Sequence, residues 1–121
     1  MLPIIDLRMS QSTTNEMTPL HSHEEFLKLL ERNENEPLSV VKYGAKWCNP
    51  CKRIDKSVLL GLSDKIKWYD VDIDENEETS TYVGVKTIPC FLGIRLGVPQ
   101  PLFQSSDTAK VVEWVKNGFK A

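Results

Sequence analysis

Trp47-Cys48-Asn49-Pro50-Cys51-Lys52 follows directly on Val41-Lys42-Tyr43-Gly44-Ala45-Lys46, and this junction decides the fold. Leu38-Ser39-Val40-Val41-Lys42-Tyr43 reads as a β-branched strand, and a helical pattern begins at the cysteines. A cysteine at a helix start meets unpaired N–H groups and the positive end of the macrodipole, which favours Cys48 as a thiolate. Two intervening residues on a first helical turn let the sulfurs meet. The pair can then cycle between dithiol and disulfide. An exposed, easily ionised Cys48 with Cys51 tucked behind it as internal partner is the minimum apparatus for disulfide exchange.

Outward from the junction, the pattern alternates. Ser22-His23-Glu24-Glu25 is a capping box that opens a helix carrying Phe26, Leu27, Leu29 and Leu30, and residues Asn33 to Pro37 end it. After the cysteines, Cys51, Ile54 and Val58 fall at i, i+3 and i+7 and are expected to face inward. Ile66 to Ile73 is a second strand. Asp74 with Glu77 resembles another helix start, and Gly84 ends that helix. The acidic run Asp72 to Glu78 reads as the solvated beginning of that helix. Phe91 to Leu96 is a strand turning at Gly97, and Pro99 and Pro101 restrict any strand near Leu102–Gln104 to a short or edge position. Ser105, Ser106 or Asp107 caps a last helix with Val111, Val112, Trp114 and Val115 available for packing. Alternation followed by a hairpin implies an α/β fold, a mixed sheet with helices on both faces.

A chain of 121 residues is one domain, able to bury a core without staples. Its net charge of −2 leaves no electrostatic footprint for nucleic acid, and no Lys/Arg run suggests a membrane surface. No stretch nears the roughly 18 apolar residues of a spanning helix. Three cysteines are too few for a secreted disulfide framework, and Pro3, Asp6 and Arg8 leave too short an apolar stretch for a signal sequence. A reducing, cytoplasmic compartment is the expectation. A structural zinc would need Cys90, His21 or His23 beside the cysteine pair, and none repeats at metal spacing, so no metal is expected. Residues 1–17 read as an extension: Ser10 to Glu16 cannot bury a face, and Leu2 to Leu7 is either disordered or a docked edge strand, disorder being favoured.

With these residues in view, the chain resembles the thioredoxin family. The likeness is carried by Val41 to Lys52, then Val71-Asp72-Ile73-Asp74, then Tyr82-Val83-Gly84-Val85-Lys86-Thr87-Ile88-Pro89. It implies a thioredoxin fold, with a central mixed β-sheet flanked by helices on both faces, over residues 18–121. It implies Cys48 as the nucleophile on a substrate disulfide, Cys51 as the resolving cysteine, and a cis peptide before Pro89. The Ile88 backbone would then lie beside Cys48, where an extended substrate segment can pair with it. Trp47, Asn49, Pro50, Ile88 and Pro89 would receive the substrate, and the Gly97 turn would complete the apolar rim. The resemblance further implies no cofactor beyond the Cys48–Cys51 disulfide, disulfide-containing proteins as substrates, thioredoxin reductase as electron donor, and action as a monomer.

Several positions depart from the family pattern. Asn49-Pro50 replaces the usual Gly-Pro and should shift the redox potential modestly. Lys56 stands where the family has a helix-bending proline, so a straighter second helix is expected. Cys90 follows the cis-proline position, usually a threonine, and reads as a small buried filler. The glycine common before the last helix is missing. The largest departure is Lys42, at the position of a buried aspartate. Strand alternation puts Lys42 on the inward face with Leu38 and Val40, and Asp70, on the face of Ile66 and Trp68, is the candidate counter-ion. A Lys42–Asp70 pair beneath Cys51 makes both candidates for the catalytic apparatus. An ammonium ~6 Å from a thiolate favours ionisation by about 2–3 kcal/mol at an effective dielectric near 20. That predicts more acidic cysteines and a more oxidising disulfide; the bland alternative is a lysine that snorkels past the strand edge.

Two rival functions stay open at this level. One is a thioredoxin-fold binding scaffold with dispensable cysteines. The other is an oxidase or isomerase working in an oxidising compartment.

Overall fold

The Ser22 hydroxyl accepts the Glu25 N–H at 3.1 Å while the Glu25 carboxylate accepts the Ser22 N–H at 3.1 Å, so the first helix starts on the capping box its sequence spells out. The computed structural model describes residues 16–31, 34 and 37–120. The readings placed on Leu2–Leu7 and Ser10–Asn15, and part of the stop at Asn33–Pro37, fall outside the described residues. In chain order the elements are β1 (Thr18–Pro19), α1 (His23–Lys28), β2 (Leu38–Gly44), α2 (Asn49–Lys52), α3 (Lys56–Leu60), β3 (Ile66–Asp72), α4 (Glu77–Val83), β4 (Cys90–Arg95), β5 (Val98–Pro99), β6 (Phe103–Gln104) and α5 (Thr108–Lys116).

The sheet runs β1-β3-β2-β4, with β5 and β6 both on the outer edge of β4. β1, β3 and β2 are parallel and β4 antiparallel to β2, so the sheet is mixed. The last two strands are one edge interrupted around Pro101, which has no N–H to offer the ladder; between them the Gln100 N–H still reaches Gly93 O at 2.8 Å. β1 escaped the sequence reading. Two residues carry no alternation, and they are held by pairing with Tyr69 and Asp70 on β3.

Period-two alternation sorts the strand side chains into two cores. Val40, Trp68 and Phe91 pack with Ile54, Leu59, Val111, Trp114 and Phe119 on one face, and Met17 joins them. Val41, Tyr43, Val71, Leu92 and Ile94 pack with Leu20, Phe26 and Cys90 on the other. The first face lies under α3, α5 and the Ile54 segment between α2 and α3, the second under α1 and α4. Helices thus cover both faces, as expected.

The helix after the cysteines is not straighter; it is broken. α2 ends at Lys52, and Asp55 takes an extended conformation (φ −89°, ψ 98°) to cap α3, accepting N–H groups from Ser57 and Val58. Thr108, at the start of α5, fixes the break from outside: its hydroxyl oxygen accepts the Asp55 N–H at 2.9 Å and its hydroxyl donates to Arg53 O at 3.4 Å. An N-cap aspartate and a cross-chain threonine do here what proline does by steric exclusion. The interruption also resets the inward face. Ile54 is buried as expected, but Val58 is 44% exposed and Leu59 takes its place in the core.

Candidate active site

Because β2 runs out at Gly44 and α2 starts at Asn49, Cys48 occupies the N-cap position of α2. Its Sγ accepts the Cys51 N–H at 3.1 Å and is joined to Cys51 in a disulfide, with the two Cα atoms 5.3 Å apart. α2 is a single turn, so what it offers the sulfur at its N-cap is this directed N–H rather than a long macrodipole. The expectation of an exposed Cys48 is not met in the bonded form. Cys48 is 2% exposed and Cys51 7%.

The other expected site residues are placed as follows. Trp47 is 64% exposed, and its indole N–H donates to Asp74 at 2.8 Å, which tethers the ring beside the motif. Asn49 is exposed and Pro50 half-buried. The Ile88–Pro89 peptide is cis, and Pro89 immediately precedes β4, whose Cys90 lies opposite Tyr43. The register therefore brings Ile88 and Pro89 to the end of β2 from which the cysteine motif leaves.

Gly97 is not part of this rim. Arg95 pairs with Leu38, the far end of β2, and the Gly97 turn packs on the end of α1: a Cβ there would meet Leu30 O at 2.6 Å. The segment that returns to the cysteine end is the one after β6, because Gln104 pairs with Cys90.

Beneath Cys51, Lys42 is 5% exposed and stands in register with Asp70 across the parallel β2–β3 ladder. Its Nζ is 3.8 Å from Asp70 Oδ1. A Cβ built on Gly44 would lie 3.0 Å from Lys42 Nζ and 3.3 Å from Cys51 Sγ, so ammonium and sulfur flank one spot and Gly44 leaves it empty. Burial holds the Lys42 ammonium below the ordinary lysine range, while Asp70 pulls it back up. Lys42, Cys51, Ile54, Lys56 and Asp70 line a cleft of about 550 Å³ open to solvent. Asp74 and Lys56 are the residues the sequence reading did not assign to the site. Both lie among solvent-facing charges, where spacing alone carries no sign of a partner.

Cys90 is a buried thiol, pushed up to about 11 by burial, against a smaller opposing pull from the Phe91 N–H. The Tyr43 phenol across the ladder is likewise raised by burial, and its hydroxyl is buried with no hydrogen-bond partner among the described residues. At pH 8 only about one Cys90 in a thousand would be a thiolate. Iodoacetamide on the reduced native protein is therefore expected to leave Cys90 unmodified while labelling the active pair, as read by peptide mass spectrometry. Comparable labelling of Cys90 would contradict its burial.

Among the described residues no group of three or more His, Cys, Asp or Glu is placed to hold a metal, and no helix is long and apolar enough to cross a membrane. The thioredoxin family profile matches residues 17–117. The chain belongs to the thioredoxin family. A thioredoxin of Gallus gallus is 32% identical over 85 residues, covering 68% of this chain and 80% of that protein. The X-ray structure of Fasciola hepatica thioredoxin superposes with a TM-score of 0.74 at 31% identity, over 84% of this chain and 98% of that one. The crystal structure of thioredoxin from Trypanosoma brucei brucei gives a TM-score of 0.77 over 89% and 95% of the two chains; at 22% identity it speaks for the fold alone. Thioredoxin membership and a bonded Cys48–Cys51 pair together make the chain, broadly, a thiol–disulfide oxidoreductase whose redox group is its own cysteine pair.

Proposed function

We propose that this chain reduces protein disulfides through a Cys48/Cys51 dithiol–disulfide cycle. The observation that carries the reading is the bonded pair on one helical turn, with Cys48 Sγ receiving the Cys51 N–H. In the reduced protein the Cys48 thiolate attacks one sulfur of the target disulfide, and the other leaves as a thiolate. Cys51 then gives up its proton and attacks Cys48 Sγ. The second target sulfur departs, two electrons have passed to the target, and the Cys48–Cys51 bond is restored. Trp47, Asn49, Pro50, Ile88 and Pro89 receive the target, whose extended backbone pairs with that of Ile88. The activity is assigned to residues 18–121, acting as a monomer in the cytoplasm, with thioredoxin reductase as electron donor and residues 1–17 as an extension.

Reduction of insulin disulfides by the protein, combined with its redox potential against a glutathione or dithiothreitol couple, tests the reading. A potential near that of thioredoxin, about −270 mV, with turnover supports a reductase. A potential near that of the strong oxidants, about −120 mV, would replace it by an oxidase.

The Lys42 ammonium, with Asp70 as its counter-ion, is assigned the task of favouring the thiolates. Lys42→Met removes the ammonium and leaves Asp70 with Lys56. The thiols of the pair, followed by thiolate absorbance at 240 nm, are expected to titrate higher in this variant, Cys51 by roughly one to two pH units. A titration that stays put or falls would reduce Lys42 to a structural side chain.

A further inference from the structure

Lys56 occupies the position that the family resemblance gives to proline, and it brings a second cation to Asp70. Its Nζ donates to Asp70 Oδ2 at 3.0 Å, whereas Lys42 Nζ stands 3.8 Å from Oδ1 of the same carboxylate, beyond hydrogen-bond reach. One carboxylate is thus shared by two ammonium groups, and the shorter contact goes to the more exposed one: the Lys56 side chain is 47% exposed and that of Lys42 6%. Lys42 is left with the longer contact although it is the more buried of the two.

Among the described residues, Asp70 is the carboxylate within ion-pair distance of Lys42. Across β4, Lys42 faces Phe91, which carries no charge. Lys46 and Glu75 approach each other at 3.9 Å on the cleft wall, both largely exposed. His21 from the turn before α1, Lys52 of α2 and Asp72 of β3 complete the charged lining, and the Asp72 carboxylate accepts the Asp74 N–H at 2.9 Å.

We propose that Lys56 is a positioning residue for disulfide exchange: by holding Asp70 it keeps that carboxylate from fully neutralising Lys42, and the partly compensated Lys42 ammonium sets the pH at which Cys51 resolves the mixed disulfide. This rests on the assignment of Cys51 as the resolving cysteine. In that step the Cys51 thiol releases its proton to solvent in the cleft, the thiolate attacks Cys48 Sγ, the bond to the target breaks, and the target leaves as a thiolate. The ammonium is unchanged and acts by favouring the Cys51 thiolate. Without Lys56 the Asp70 carboxylate is free to close on Lys42, and a neutral pair faces the sulfur.

The test uses excess Ellman's reagent on the reduced full chain in a stopped-flow instrument from pH 5 to 10. The first thionitrobenzoate release reports attack by Cys48; the second, independent of reagent concentration, reports resolution by Cys51. In Lys56→Met the midpoint of the second phase is expected to rise by about one unit, a roughly tenfold slower release below that midpoint. Lys56→Arg should keep the wild-type profile. In an Asp70→Asn background, Lys56→Met should change the rate less than twofold, because its action passes through Asp70. The Lys42 titration, followed by the NMR shift of its Cε, should move upward in Lys56→Met. An unmoved midpoint overturns the proposal, and so does a shift that persists undiminished in Asp70→Asn, which would make Lys56 act by its own field. Wild-type protein without a second phase would sink the resolving role of Cys51, and the proposal with it, while the Lys42 titration still reports whether the coupling exists.

Discussion

Cys48→Ser is expected to drop insulin-disulfide reduction to the uncatalysed background, whereas Cys51→Ser should still attack its target and then stop. The two outcomes differ because the sulfurs do different work. A serine at 48 presents an alcohol whose proton is not lost near neutral pH, so no nucleophile of comparable strength remains. With serine at 51 the Cys48 thiolate still opens the target disulfide, but nothing within the protein breaks the resulting bond. The mixed disulfide therefore accumulates and is seen on a non-reducing gel. Neither variant should unfold the protein. Closing so short a loop contributes roughly 2 kcal/mol by chain-entropy accounting, and the fold rests on two cores that do not depend on the bond. Circular dichroism and the denaturant midpoint of each variant check this. Activity surviving in Cys48→Ser/Cys51→Ser would replace the enzyme by a binding scaffold. Trapping by Cys48→Ser in place of Cys51→Ser would exchange the two roles.

Sequence patterns reached those parts of the molecule whose cause is local or periodic. Ser22 and Glu25 are three residues apart and cap each other, so the start of α1 was legible. Lys42 and Asp70 were legible as a pair because strand alternation fixes a face and parallel neighbours bring two such faces together. What stayed hidden was fixed from a distance. Asp55 looks like one more charge on a solvated helix face, and only its bond to Thr108, fifty-three positions away, reveals a helix break. That break moved Val58 out and Leu59 in. Gly97 looked suited to the rim because it is a turn glycine, but the antiparallel return of β4 carries it to the opposite end of the sheet. Lys56 could not be seen as a partner of Asp70 until α3 was separated from α2 and set over β3. The cysteine pair needed only its spacing; the charges that tune it needed the fold.

Gly93→Ala is expected to cost about 3 kcal/mol, a large stability effect for a single methyl group. Gly93 lies in β4 opposite Val40, on the face that holds Phe91. The ring of Phe119 rests directly on it: a Cβ at this position would come within 2.8 Å of three ring atoms. Phe119 has little freedom to yield. It is 3% exposed, its ring centroid lies 4.9 Å from that of Trp114, and the Arg95 guanidinium covers its ring at 5.7 Å. Its backbone is already in the left-handed region at φ 68°, where a non-glycine residue is held only by its surroundings. The methyl must therefore push the ring out of the core or push β4 away from α5. A loss of this size lowers the melting temperature by roughly 10 °C or more in a domain of this length. The cysteine pair sits at another end of the sheet, so insulin reduction measured well below the transition should stay near wild type. Phe119→Ala removes the obstacle as well as the packing, and the double variant Gly93→Ala/Phe119→Ala should be more stable than the sum of the two single losses allows. A Gly93→Ala variant with an unchanged denaturant midpoint would mean that the C-terminal turn after α5 does not seat its aromatic ring on the sheet.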